Sequence, residues 1–261
     1  MTISLLYHDL VDPSQADTAG FPGPLAARYK ITPVEFERHL NAIAALGRSV
    51  GLATVDHRPA VSFSFDDGGA SALVAAEALE RHGWRGHFFI TTERIGHSGF
   101  LTRDGVRELD RRGHEVGTHS HSHPTLMAKL PDRQIEDEWR TSRMVLSEIL
   151  GREPTTASVP GGYSSSIVVR LAARAGYQVL MTSDPRARVR HVEGMAVFGR
   201  YAIRSTTSTR TVRAYAAGRP LARARQAIEW EAKRVAKSAS PKAYQQLRRL
   251  RASIGSRRRH F

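Results

Sequence analysis

The chain has 261 residues, no cysteine and a formal net charge of +14 at pH 7. Disulfides and thiolate metal sites are thereby excluded, and this length is enough for one sizeable α/β core. No apolar run approaches the roughly 18 residues of a membrane span, and the start, Met1 to Asp9, lacks a basic leader, so a cytoplasmic protein is the expectation.

Ile3 to Tyr7 reads as a first strand that ends at His8-Asp9, followed by a Pro/Gly-rich loop from Pro13 to Pro24. Thr32-Pro33-Val34-Glu35 has the form of a capping box with proline at the first helical position, predicting a helix to about Leu46. Val61 to Phe65 is an apolar, β-branched and aromatic strand that ends abruptly in Asp66-Asp67-Gly68-Gly69. Further elements alternate: a helix from Ser71 to His82, a strand from Gly86 to Thr91, a helix from Arg103 to Arg112 capped by Thr102, and a strand from His114 to His119. A long amphipathic helix is expected from Pro131 to Leu150, then a strand from Thr155 to Val159 ending in Pro160-Gly161-Gly162. Ser165 to Ala175 is a helix, Tyr177 to Thr182 a sixth strand and Ala196 to Ile203 a seventh.

Such alternation implies parallel strands with crossover helices, in a barrel or a doubly wound sheet. Neither a dinucleotide fingerprint nor a phosphate loop is present, which favours an α/β fold of the distorted (β/α) barrel type with about seven parallel strands. In a barrel the loops at the C-terminal strand ends build the site. His8, Asp66, Asp67, the run His119 to His123, and Pro160-Gly161-Gly162 all fall at such ends.

Adjacent carboxylates at a strand mouth repel each other, so a bound cation or a proton-accepting role would explain them, where a solvated turn is the plainer alternative. His119-Ser120-His121-Ser122-His123 holds three imidazoles in five residues. As a continuing strand all three would share a face; as a helix only His119 and His123 would. Two histidines and a distant carboxylate make a facial metal site with positions left open.

Ser64-Phe65-Asp66-Asp67-Gly68 and His119-Ser120-His121-Ser122-His123-Pro124 together resemble the first two motifs of the polysaccharide deacetylases of the NodB-homology group, and the likeness covers roughly residues 3–205. The resemblance implies a divalent metal, zinc above all, on Asp67, His119 and His123, with Asp66 as general base. It also implies an acetylated glycan as substrate, with N- or O-acetyl groups removed. Gly161, Gly162 or Tyr163 could offer an oxyanion N–H, and His8, Pro160, Gly161, Gly162 and Tyr163 are the expected substrate-contacting positions. Two departures stand out. Ser158 occupies the place of the third motif's arginine, and Phe198-Gly199-Arg200-Tyr201 lies where the family usually offers a histidine acid. Arg200 is the candidate to orient Asp66 across the barrel mouth, and His8 and His121 are candidates for the acid. An amidohydrolase of small amides and a non-catalytic glycan or membrane binder are the alternatives.

The charge is concentrated at the end. Residues 208–261 hold 15 Lys and Arg against two acids, leaving 24 basic and 23 acidic residues in 1–207, so the expected division is a barrel over 1–207 and a basic helical tail over 208–261. A helix is expected from Arg219 to Lys237, with Leu221, Ile228 and Val235 spaced by sevens, and a second from Pro241 to Ile254. Cationic helices of this kind can lie on an anionic membrane surface, bind nucleic acid electrostatically, or pack on the barrel with a solvated basic face. No sequence-reading motif supports nucleic acid.

Overall fold

The computed structural model describes residues 1–162 and 164–239, with side chains as far as residue 232. The strands are β1 (Ile3–Tyr7), β2 (Val61–Phe65), β3 (His87–Ile90), β4 (Glu115–Thr118), β5 (Thr156–Ser158), β6 (Val179–Met181), β7 (Arg190–Val192), β8 (Met195–Phe198) and β9 (Arg200–Ala202). Seven helices accompany them among the described residues: α1 (Pro33–Ala44), α2 (Ala72–Arg81), α3 (Arg103–Arg111), α4 (Asp132–Leu150), α5 (Ser166–Arg174), α6 (Thr209–Ala216) and α7 (Pro220–Ala239). They form one sheet in the order β7-β8-β6-β5-β4-β3-β2-β1-β9, parallel throughout except for the β7–β8 hairpin.

The expected seventh strand is two short ones. β8 pairs with β6 and β9 pairs with β1, and only Gly199 separates them. One kinked run of chain therefore joins both ends of the parallel sheet, which is how a distorted barrel is made from these strands. The kink needs glycine, because a Cβ at Gly199 would stand 2.2 Å from the Asp184 carbonyl oxygen.

The pleat explains the core. In β2, Val61, Phe63 and Phe65 lie on one face and join Phe36, Leu40 and Ile43 of α1 and Leu79 of α2 in a single buried cluster. Ser62 and Ser64 take the other face, inside the barrel, and are also fully buried. Small serines there leave room for a large side chain from the opposite wall. That side chain is Arg200.

Capping follows the sequence closely. Thr32, Thr102 and Ser165 each accept a hydrogen bond from the backbone N–H three residues on. Two elements have no counterpart in the sequence reading. β7 turns back on β8 through Glu193 and Gly194, both at positive φ, the conformation of a tight hairpin. α6, capped by Ser208, buries Val212, Tyr215 and Ala216 in the same cluster as α1, so the core extends past residue 207. α7 agrees with the expected tail helix. The Pro241 to Ile254 helix and Tyr163 lie outside the described residues.

Candidate active site

Register brings the two carboxylates to the mouth. The Asp66 N–H donates to the Tyr7 carbonyl (3.1 Å), continuing the β1–β2 ladder, and the His119 N–H donates to the Ile90 carbonyl (2.8 Å), continuing β3–β4. The chain then turns sharply, with Asp67 and Gly68 both at φ 78°. The left-handed residue sends the two neighbouring carboxyl groups to different partners, and Asp tolerates that conformation better than most side chains.

Asp66 faces inward. Arg200 Nη1 and Nη2 donate to its Oδ1 and Oδ2 at 2.7 and 2.9 Å, a forked pair with the guanidinium fully buried. Nη2 also donates to Ser158 Oγ (2.7 Å), Nη1 to Ser64 Oγ (3.2 Å) and Nε to the Thr182 carbonyl (3.1 Å). Burial alone would raise the Asp66 pKa; the charge of Arg200, helped by His119, outweighs it and holds the carboxyl well below its usual range.

Asp67 faces His119 and His123, its Oδ1 lying 3.5 Å from each Nε2. One donor atom from each of the three residues falls within 4.8 Å of the others. Donors on a tetrahedral zinc stand roughly 3.3–3.5 Å apart, given bonds of about 2.0–2.2 Å. Three further features fit a cation. Asp67 Oδ1 is buried with no hydrogen-bond partner among the described residues. Its pKa is pushed up to about 7, chiefly by burial, so the charged form lacks compensation that a cation would give. The His119 Nδ1 donates to the Ser158 carbonyl (3.2 Å), which fixes the tautomer and leaves the Nε2 lone pair facing Asp67. Burial also lowers the His119 pKa to about 3, keeping the ring neutral as a ligand must be.

The family model described as polysaccharide deacetylase matches residues 41–180 of this chain. The chain belongs to the polysaccharide deacetylase family. The Bacillus subtilis protein YxkH is 25% identical over 172 residues, covering 62% of this chain and 61% of that one. The peptidoglycan-N-acetylglucosamine deacetylase of Bacillus cereus is 26% identical over 131 residues, covering 48% and 59%. The chain thus spans about three fifths of the length of these relatives. A solved polysaccharide deacetylase from Bacillus cereus superposes with a TM-score of 0.68 at 19% identity, covering 82% of this chain and 68% of that one, a likeness of fold.

Against the deacetylase pattern, the departure at Ser158 has a geometric answer. Ser158 is the small side chain that leaves space for Arg200, and its hydroxyl bridges the arginine and Asp66. Arg200 comes from a strand outside the matched segment and reaches the same carboxylate.

The second motif is neither strand nor helix after Thr118. Ser120 and His123 sit at φ 64° and 60°, an irregular turn that brings His119 and His123 together with ring centroids 5.0 Å apart. His121 turns away, its Nδ1 2.9 Å from Thr92 Oγ1, so it does not stand over the site. Glu138 of α4 holds this turn, accepting from the His121 and Ser122 N–H groups (2.9 Å each) and the Ser122 hydroxyl (2.5 Å). No spacing in the sequence singles Glu138 out; it is one of several acids on that helix. Glu138→Ala is expected to weaken metal binding by about 10–100-fold with the fold retained, since ligand-orienting groups have that effect. Titration of the metal-free protein checks this, and an unchanged affinity would mean the turn holds itself.

The Pro13 to Pro24 loop folds over the same end. The Lys30 ammonium donates to the carbonyls of Ala16 (2.5 Å), Ala19 (2.5 Å) and Phe21 (2.8 Å), and Phe21 packs on His123 with centroids 4.8 Å apart. His8 packs against Tyr29 with ring centroids 4.8 Å apart, and its Nδ1 is buried without a hydrogen-bond partner among the described residues. It is near enough for its charge to lower the pKa of both Asp66 and Asp67. Pro160, Gly161 and Gly162 form the turn that leaves β5 beside Ser158. Gly161 is at φ 65°, and a Cβ there would meet the Thr125 carbonyl at 2.5 Å.

Proposed function

We propose that the protein is a metal-dependent deacetylase that hydrolyses the acetamide of an N-acetylamino-sugar glycan. The observation behind this reading is the division of labour between the neighbouring carboxyl groups, Asp66 on a buried guanidinium and Asp67 in a carboxylate–imidazole–imidazole cluster. The names of the Bacillus cereus relatives support the substrate class.

Asp67, His119 and His123 would hold the cation, and two imidazoles with one carboxylate suit zinc. Bound there, it supplies Lewis acidity toward the acetamide carbonyl oxygen. Asp66, kept ionised and fixed in direction by Arg200, takes a proton from the attacking water at the carboxyl edge nearer His119. Arg200 acts through Asp66 and is a positioning residue. The backbone N–H groups of Gly161 and Gly162, in the turn that leaves β5, are the proposed donors to the developing oxyanion. His8 protonates the departing amine as the C–N bond breaks, in place of the absent histidine near the last strand, leaving acetate and a free amino sugar.

The test is acetate release from N-acetylated chito-oligosaccharides and peptidoglycan fragments, before chelation, after it, and after zinc is restored. Activity should vanish with the chelator and return with the metal. Hydrolysis of small amides with no acetate from any glycan would move the assignment to an amidohydrolase, and glycan binding without release to a non-catalytic binder.

A further inference from the structure

One buried carboxylate has no task in the hydrolytic scheme. Asp9, just past the end of β1, is 2% exposed, and its Oδ2 is buried with no hydrogen-bond partner among the described residues. Its Oδ1 accepts from the Ser71 hydroxyl (2.8 Å), whose oxygen accepts in turn from the Leu10 N–H (3.0 Å). Burial raises the Asp9 pKa, against the Ser71 bond and the charge of Lys30. The Lys30 ammonium, however, is held by the Ala16, Ala19 and Phe21 carbonyls. Among the described residues, then, no cationic group hydrogen-bonds to Asp9.

Two glycines make room for this carboxylate. A Cβ at Gly69 would stand 1.9 Å from Oδ1, and one at Gly20 would stand 2.1 Å from Oδ2. Any other residue at either position would push the group out. Gly69 lies in the turn that begins at Asp67, and Gly20 in the loop whose Phe21 packs on His123. The Gly99 carbonyl ties the two segments together, accepting from the Gly20 N–H (2.6 Å) and the Ala70 N–H (2.9 Å). Asp9 therefore sits against the backbone that presents Asp67 and against the loop that rests on His123.

The charge itself needs a reason. Asparagine would fill the same space and accept the same hydroxyl, with no charge to desolvate. A buried carboxylate with no directly bonded counter-ion has to be balanced from farther off. The Asp9 charge is felt at Asp67, where it acts, after burial and beside that of Asp66, against the ionised form. A divalent ion on Asp67 relieves both carboxylates at once.

We propose that Asp9 is a positioning residue of the cation site, fixing the Asp67 turn against the loop over His123 and adding a second negative charge that draws a divalent ion to Asp67, His119 and His123. Asp9 acts through Asp67 and is not itself a ligand, since its carboxylate is walled in by Gly20, Gly69 and Ser71. This role rests on the metal-dependent reading of the site.

Zinc affinity is read on the full-length, metal-free protein by competition with a chromophoric chelator. Asp9→Asn keeps the shape and the Ser71 bond and removes only the charge. It should bind zinc about tenfold or more weakly, the lower end for groups that orient a ligand, with circular dichroism matching the parent. Its acetate release should fall at limiting zinc and return toward the parent value at saturating zinc, as an effect on occupancy requires. Ser71→Ala loses the hydrogen bond but keeps the charge, so it should lower the melting temperature more than the zinc affinity. A merely structural wedge predicts the reverse, with affinity following stability in both variants. Asp9→Ser, smaller and also neutral, should show the same loss of zinc and gives the answer if the asparagine variant does not fold. Undiminished affinity in the neutral Asp9 variants, where Asp67→Asn binds none, overturns this inference and leaves the metal site standing. A parent protein that binds no zinc overturns both.

Discussion

Arg200→Leu should lower the unfolding free energy by about 3–5 kcal/mol, the range for a buried pair that loses one partner. The guanidinium is completely buried and donates to Asp66, Ser158, Ser64 and the Thr182 carbonyl, so leucine removes a donor from four polar groups at once and leaves the Asp66 charge uncompensated. Asp66 would respond by holding its proton, and a protonated Asp66 cannot take one from water. Turnover should fall by about 10²–10⁴-fold, the usual worth of a general base, with the acid limb of the pH profile moving upward. Arg200→Lys should regain part of the stability and little of the rate, because an ammonium cannot fork onto two carboxyl oxygens. Moving the arginine, as Ser158→Arg with Arg200→Ser, would rebuild the family's usual arrangement and should recover activity lost in Arg200→Ser. Urea unfolding and acetate release measure both effects; an unchanged unfolding midpoint in Arg200→Leu would falsify the role given to the pair.

The metal-free protein should lose stability relative to its Asp67→Asn variant as pH rises from about 4 to about 7, and regain it when zinc is added. Asp67 has a folded pKa raised from 3.8 to about 7, so the folded state holds a proton that the unfolded chain releases over that window. Its contribution therefore turns unfavourable with rising pH and is fully unfavourable above about 7. Asp66 has the opposite sign. Its depressed pKa stabilises the fold above 3.8 and is lost only as pH falls through the lower folded value. Asp67→Asn removes the unfavourable term while accepting the same backbone, since Asn is at home at positive φ. The variant should melt several degrees higher than the metal-free parent at neutral pH, bind no zinc, and release no acetate. Thermal melts of parent and variant across pH, with and without metal, decide the matter, and a metal-free difference between the two that does not change with pH would remove Asp67 as its source.

The strand ends were legible because chemistry and backbone coincide there. Asp66-Asp67 and His119-His123 mark the mouth in the sequence, and the starts of α1, α3 and α5 carry capping side chains that the structure uses. The orienting arginine was legible only as a candidate: nothing local to Phe198-Gly199-Arg200 indicates that a kink will aim its side chain through a gap left by Ser62, Ser64 and Ser158. The turn from Ser120 to His123 was unreadable for another reason. Its left-handed residues are stabilised by Glu138, which approaches from a helix in the next element, so neither a strand period nor a helix period applied. Lys30, whose three carbonyl contacts tie down the loop over the site, reads in sequence as an ordinary surface charge.

The kinked closing strand also sets an order of events during synthesis. β1 leaves the ribosome first, yet the partner for its outer edge, β9, is among the last strands made, with Ser4 waiting for Arg200. Until then an apolar strand, Ile3 to Tyr7, presents a row of unpaired backbone groups on one side. The strand pairing that seals the barrel is the one of longest range among the described strands, so it should be the slow step in folding. Chains halted before Gly199 are expected to associate through that open edge, and release of one more short stretch, through Ala202, supplies the strand that covers it.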